Sequence, residues 1–423
     1  MHHQIVQRGE DAIQIDSSRL RVVIEPQLGG KIRSFFAKRT ETEFLYVDPR
    51  AAFAAGDDYS AHDISGFDEC FPTVWPCPYP DGSRRGTPMG DHGYLWQGAW
   101  QADVSNDRVE MSKDVPVFQC MFHRTCQLET PDCLKLDYAI TNYGQEPMKY
   151  LYSAHPMLAA GDDIELVLPN NIDKMYAFFV SGIDGVPEKT WVDWPLSTKA
   201  NLGPPFSPER HSVIKLYTPQ LEEGQGQAAI RHASLGQALQ FEFDPIQLPH
   251  LGVLYVQGYD PANGPFQDEV FFGLEPTTGA GDDLPTCHQT GTVAELAPGE
   301  SKEFWIRLRL ILDMDSSVSE TYGKQEGAAY NGHFECTCYH PLFVFNQFGD
   351  LERAMLRRGN HASAKFWRRV LLPVIERYRH LNIPKFFRGD AAFANPALYR
   401  LLEKEDYHYA IRIKANAVLE REI

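Results

Sequence analysis

Apolar and polar residues alternate one by one through most of the first three-quarters of the chain. LRVVIEP at 20–26, KIRSFFA at 31–37, LKLDYAIT at 134–141, ALQFEFDP at 238–245, LGVLYVQG at 251–258 and FWIRLRL at 304–310 all carry this period of two. Successive side chains of a strand point to opposite faces, so such runs predict half-buried strands. Between them lie QLGG, YPDGS, TNYGQEP, GYDPANGP and LAPGES, rich in the Gly, Pro, Asn and Asp of turns. No helical repeat stands out before Leu310. Many strands with few helices make this part mainly β, a large antiparallel sandwich.

After Leu310 the pattern changes. ILDMDSS, HPLFVFN (340–346), KFFRGD (385–390) and YAIRIKA (409–415) predict short strands, whereas 363–381 and 396–405 carry apolar residues every three to four positions and predict helices. Pro373 is placed to kink the first of these. Strands alternating with helices describe an α/β unit. Charge breaks at the same place: the formal balance is −19 up to Leu310 and +2 after it, within a total of −17. Two pieces of different character, 1–310 and 311–423, therefore share the chain.

Composition narrows the setting. Of 423 residues, 43% are hydrophobic and 23% charged, as in globular proteins. No apolar run reaches the roughly 18 residues of a membrane span, and the N-terminus lacks the apolar core of a secretory signal, so a soluble cytoplasmic protein is expected. Eight scattered cysteines then predict reduced thiols. Cys336, Cys338 and His340 look zinc-like, but alternate strand residues share a face by default and no second ligand pair follows, so no metal is expected. The acidity of the first piece would repel phosphates, and nucleic acid is not an expected partner. Oligomeric state is left open.

Chemistry concentrates in three places. GFDECFPTVWPCPYPDGSRRGTPMGDHGYLW, 66–96, has too much Pro and Gly for regular structure and too many aromatic and charged residues for a passive linker. It reads as a long functional loop ending in a strand at DHGYLW. SAHPML at 153–158 puts His155 at the end of a strand, and FFGLEPTTGAGDD at 271–283 puts Glu275 at the end of another, before a Gly-rich turn.

With GGKIRSF, the HG pair at 92–93, NYGQEPMKYLYSAHP and GLEP in this order, residues 1–310 resemble the galactose mutarotase-like (aldose 1-epimerase) superfamily. The resemblance implies a β-supersandwich with a sugar site in a cleft across one sheet, a small-molecule carbohydrate partner and no cofactor. Interconverting the two anomers of an aldose needs a base for the C1 hydroxyl and an acid for the ring oxygen; carboxylate and imidazole suit these roles, since burial can draw their pKa values towards working pH. The resemblance assigns Glu275 as base, His155 as acid and His92 as the imidazole that orients the sugar. Sugars also present apolar faces and hydroxyls, which makes Trp75, Trp96, Asp68, Gln257 and Asp282 further substrate-binding candidates. The arginine that close epimerases often carry after HG is here replaced by Tyr94, Leu95 and Trp96. A carbohydrate-binding protein without turnover is the alternative reading.

From Ile311 onward, ILDMDSSVSETYGKQEGAAYNGHFECTCYHPLFVFN, RGNHASAKFWRRVLLPVIERY and FRGDAAFANPALYRLLE resemble the catalytic domain of a DDE insertion-sequence transposase, which implies a partial RNase H-like fold. Such domains hold two Mg²⁺ ions between three carboxylates. Asp315, with Asp313 as the neighbouring option, would be the first and Asp390 the second; the third, a glutamate, is expected beyond residue 423. A truncated domain with two carboxylates of three is expected to be inactive, a transposase remnant needing Mg²⁺ only if it worked. Arg353, Arg357, Arg358, Arg368 and Arg369 could touch DNA, although a balance of +2 is a poor footprint for it.

Overall fold

The computed structural model describes residues 4–8, 12–48, 59, 63–159, 164–169, 171–194, 196–197, 200–201, 208–232, 237–258, 270–312, 319–321, 325–332, 335–345, 351–379 and 385–412. Two compact units share the chain, Met1–Leu310 and Ile311–Ile423. No helix among the described residues is long and apolar enough to cross a membrane.

In the first unit the alternating runs become two sheets of 12 and 8 strands among the described residues. Seven strands of the larger sheet matter for function: β1 (Lys31–Ala37), β2 (Phe67–Cys70), β3 (Ser153–Ala159), β4 (Lys174–Ser181), β5 (Ser212–Tyr217), β6 (His250–Gln257) and β7 (Val270–Thr277). Their order in the sheet is β1-β2-β3-β7-β6-β5-β4, all antiparallel. One face turns Ile32, Phe35, Ile214, Leu216, Leu251, Val253 and Leu274 onto Leu136, Ile140, Ile230, Leu239 and Ile306 of the smaller sheet, and these form one continuous buried core. This is the expected sandwich, held by burial of two apolar faces against each other.

The core also holds a charge. Glu69 of β2 accepts from Arg124 Nη1 at 2.8 Å, Tyr138 OH at 2.8 Å and Tyr152 OH at 2.6 Å, with Glu69 and Arg124 both fully buried. Arg124 and Tyr138 belong to the smaller sheet, on Cys120–Thr130 and Cys133–Asn142, so the pair staples one sheet to the other.

Two local expectations change. A two-turn helix, α1 (Leu284–Thr290), follows the Gly-rich turn; Asp283 caps it by accepting from Thr286 N, and Pro285 lies in its first turn. Seven residues are too few for a helical period to show against the strands around them. DHGYLW is not a strand, because His92 and Gly93 have φ of 56° and 68°. Left-handed backbone at two successive positions turns the chain instead. A Cβ on Gly93 would sit 1.9 Å from Phe71 O, so only glycine fits there.

In the second unit α2 (Trp367–Tyr378), with Pro373 inside it, and α3 (Pro396–Lys404) match the helical runs. Lys385–Gly389 pairs in parallel with Tyr407–Ile411, and Val370, Leu371, Ile375, Phe393, Leu398 and Leu402 form a separate small core. Asp313 and Asp315 lie outside the described residues. Asp390 is exposed and caps a 3₁₀ turn by accepting from Ala392 N at 2.8 Å. Arg357 is no DNA contact: it is buried, and its guanidinium donates to the carbonyls of His340, Ser363 and Lys365, each at 2.7 Å.

Candidate functional site

The second face of the larger sheet, away from the core, gathers the polar residues. Register decides which of them meet. In the β3–β7 pair Ser153 lies opposite Thr277 and Met157 opposite Gly273, which brackets His155 opposite Glu275. The neighbouring ladders pair His155 with Asp68, Glu275 with Gly252 and Gly252 with Tyr217. Asp68, His155, Glu275, Gly252 and Tyr217 therefore form one row across five strands, in which directly opposed Cβ atoms are about 4.5–5.5 Å apart. His155 sits inside its strand and not at its end.

Glu275 is fully buried. Its Oε2 accepts from Lys215 Nζ and from Ser153 Oγ at 3.3 Å, while Oε1 has no partner among the described residues. Two glycines clear the sheet floor around this carboxylate. A Cβ on Gly252 would meet the Glu275 Cβ at 3.3 Å, and one on Gly273 would lie 2.6 Å from Oε1. Lys215 also approaches Asp282 Oδ1 to 3.6 Å, and Tyr217 OH donates to the same oxygen. Burial raises the Glu275 carboxyl above its ordinary 4.5, against the lowering effect of Lys215.

His155 moves the other way. Burial first, then the neighbouring His92, Lys215 and Lys31, hold it well below 6.5, so its imidazole is neutral near pH 7. Burial thus draws the carboxyl towards working pH and the imidazole away from it, where the sequence had suggested a convergence of both. As a neutral ring, His155 carries one N–H donor and one acceptor nitrogen. Tyr59 completes the wall: its ring stacks on His92 at 3.5 Å between centroids, meets Trp96 edge-on at 5.2 Å, and its OH lies 3.5 Å from His155 Nδ1. Nothing in the alternation pattern singles out Tyr59, Lys215 or Tyr217. Lys215 and Tyr217 could have been found only by placing IKLY opposite GVLY.

Most candidate residues meet here. His92 reaches the row from the turn docked on Phe71, with its ring 4.7 Å from that of His155 and its Nδ1 3.0 Å from Asp91 Oδ1. Asp68 is buried and held by Lys31 Nζ at 2.7 Å. Trp96 is buried, its Nε1 donating to Asp91 O at 3.0 Å. Trp75 is 39% exposed beside Phe178 and Phe179, and its backbone N donates to Asp282 O at 2.7 Å. Gln257 does not join them. It lies five residues along β6 from Gly252, hence on the opposite face, and donates to Ser212 Oγ at 3.2 Å.

For a metal, the donor set among the described residues is Cys70, His92 and His155, whose ligand atoms all lie within 4.8 Å of one another. All eight cysteines are free thiols. Cys336, Cys338 and His340 form no such group; His340 Nδ1 faces His361 O at 2.9 Å.

Residues 306–423 match the family model described as transposase DDE domain group 1. No curated protein matches the chain in sequence. Among solved structures, a protein of Escherichia coli K12 provisionally named an aldose 1-epimerase is 18% identical with a TM-score of 0.52, over 74% of this chain and 99% of that one. One with the same provisional name from Klebsiella pneumoniae gives 14% and 0.52, over 73% and 84%. A galactose mutarotase-like protein of Lactobacillus casei gives 16% and 0.50, over 71% and 99%. The chain thus joins a galactose mutarotase-like fold to a DDE domain.

Proposed function

We propose that the first unit binds an aldose, or a derivative with a free anomeric carbon, and interconverts its α and β forms. The observation that carries this reading is the row in which Glu275 stands opposite His155 on one sheet face. Glu275 is oriented through Oε2 by Lys215 and Ser153, which leaves Oε1 to take the C1 hydroxyl proton. The protonated form of His155, a minor species near pH 7, gives its proton to the ring oxygen and returns to the neutral ring as the C1–O5 bond opens, the aldehyde carbon rotates, and the reverse transfers close the ring on the other face. His92, fixed by Asp91, and the Tyr59–Trp96 wall hold the sugar. No metal or redox group is needed in these steps.

One observation favours the second reading, binding without turnover: a neutral buried His155 is a weak acid. Saturation-transfer NMR between anomers, across a panel of free sugars, separates the two. Exchange that Glu275→Gln abolishes while sugar binding persists supports the isomerase. Binding without exchange, indifferent to Glu275→Gln, replaces it by the binding module. For the second unit we infer no strand transfer, since among the described residues no group of three metal-ligating side chains gathers around Asp390; Mg²⁺-dependent nicking lost in Asp390→Ala would overturn this.

A further inference from the structure

We propose that Cys70, His92 and His155 form a binding site for a transition-metal dication of the zinc class. Three different segments supply the donors: β2, the left-handed turn at His92, and β3. Cys70 pairs with Ser153 and Asp68 with His155, so Cys70 and His155 are diagonal neighbours on one face of adjacent strands, and the His92 turn is bridged to Phe71, next to Cys70. One thiol and two imidazoles are the borderline-soft set that selects zinc, copper or cobalt over magnesium or calcium.

Second, the far side of each imidazole is already supported. His92 Nδ1 lies 3.0 Å from the Asp91 carboxylate and His155 Nδ1 3.5 Å from Tyr59 OH, which leaves Nε2 of both rings to face an ion. Oxygen partners on the remote nitrogen fix tautomer and ring angle in the same way at known zinc centres. A third argument is charge. Around the donors stand Glu275, Asp282, Asp68 and Asp91 against Lys215 and Lys31, two negative charges in excess. A dication bound to one thiolate adds one positive charge and offsets half of that excess.

Ideal tetrahedral bonds of about 2.0–2.3 Å require ligand atoms about 3.3–3.6 Å apart. The present spread of up to 4.8 Å closes by rotation of the imidazoles about χ2, a soft torsion. Binding expels the thiol proton of Cys70 to solvent and leaves one position for water. The ion and a sugar would use the same imidazoles, so each excludes the other. The metal site nevertheless stands on its donor set alone and not on the isomerase reading.

The test is titration of the chelator-treated full-length protein with Co²⁺. Expected are one equivalent bound, intense tetrahedral d–d absorption with a thiolate-to-cobalt charge-transfer band, and displacement of both by Zn²⁺. Cys70→Ser should remove the charge-transfer band. His92→Asn, which keeps a residue tolerant of the left-handed turn, should weaken binding at least as much as the roughly 10–100-fold expected for Asp91→Asn. No bound Co²⁺, or a cobalt spectrum unchanged in both Cys70→Ser and His92→Asn, overturns the proposal, and the second result would place the ion on other cysteines. Failure of anomer exchange in the metal-free protein, beside an intact cobalt signature on loading, would sink the isomerase and leave the metal site standing.

Discussion

Lys215→Met removes the ammonium that stands between two buried carboxylates. Lys215 Nζ donates to Glu275 Oε2 and lies 3.6 Å from Asp282 Oδ1, with all three side chains almost fully buried. Methionine keeps the unbranched apolar stem, so packing changes little. An opposite charge at this range depresses a carboxyl by about 1–3 pH units, and its loss should raise Glu275 by the same amount, from a value burial already lifts above 4.5. Each unit corresponds to about 1.4 kcal/mol, so the pair contributes about 1.4–4 kcal/mol to keeping the carboxylate charged. Glu275 is a base only when ionised. The acidic limb of kcat/KM for anomer exchange should therefore move to higher pH by about 1–3 units, with about a tenfold loss of rate per unit on that limb. Lys215→Arg, which keeps the charge, should hold the limb near its original place. The assay is saturation-transfer NMR across pH, with the Glu275 carboxyl titration followed directly by ¹³C NMR so that the result does not depend on turnover. A Glu275 titration unmoved in Lys215→Met refutes the reasoning.

The remaining predictions test separate parts of the structure. Arg124→Met leaves Glu69 buried without its cation and should cost about 3–5 kcal/mol, read as a lower urea midpoint at unchanged m-value. Burial lowers His250 from 6.5, so below that value the unfolded chain takes up a proton that the folded chain refuses, and stability falls as pH drops; His250→Asn should flatten that slope in urea midpoints measured against pH. Gly273→Ala brings a methyl group to 2.6 Å from Glu275 Oε1 and should lower kcat by about tenfold or more while sugar binding persists; unchanged kcat would exclude Oε1 as the reacting atom. Limited proteolysis should release a resistant core ending near Leu310, and uniform resistance along the chain would argue against two independent units.

Period-two alternation sufficed to place β1, β6 and most of the sandwich, because a strand with one face on a core writes that face into every second residue. It failed at DHGYLW, where an aromatic-rich run looks like a strand but two successive left-handed residues turn the chain. Glu275, His155 and His92 were legible from their place in an ordered set of short runs, whereas Asp68 and Asp282 were candidates only because a sugar's hydroxyls call for carboxylates. Gln257 was not: choosing between the two faces of β6 requires counting five residues from Gly252, and strand pairing supplies that origin where composition cannot. Lys215 was invisible for a related reason. An isolated lysine in an apolar strand resembles an edge charge until the partner strand shows that Gly252 makes room for a carboxylate beside it.

The two faces of β2 explain how the row is kept in place. Phe67–Cys70 is buried at every position, so burial alone does not say which side chains belong to the core and which to the site. A slip of one residue would exchange the faces, sending Asp68 and Cys70 into the apolar interior and Glu69 out towards His155. Glu69 forbids that slip, because its carboxylate finds Arg124, Tyr138 and Tyr152 only on the core side, and a buried charge without those donors is costly. The buried ion pair therefore acts less as a source of stability than as a register pin. By fixing Glu69 inward it fixes Asp68 and Cys70 outward, and through the β2–β3 and β3–β7 ladders it sets His155 opposite Glu275. Mutating the pin should then disturb the site from the far side of the sheet, with site chemistry lost in those Arg124 variants that still fold.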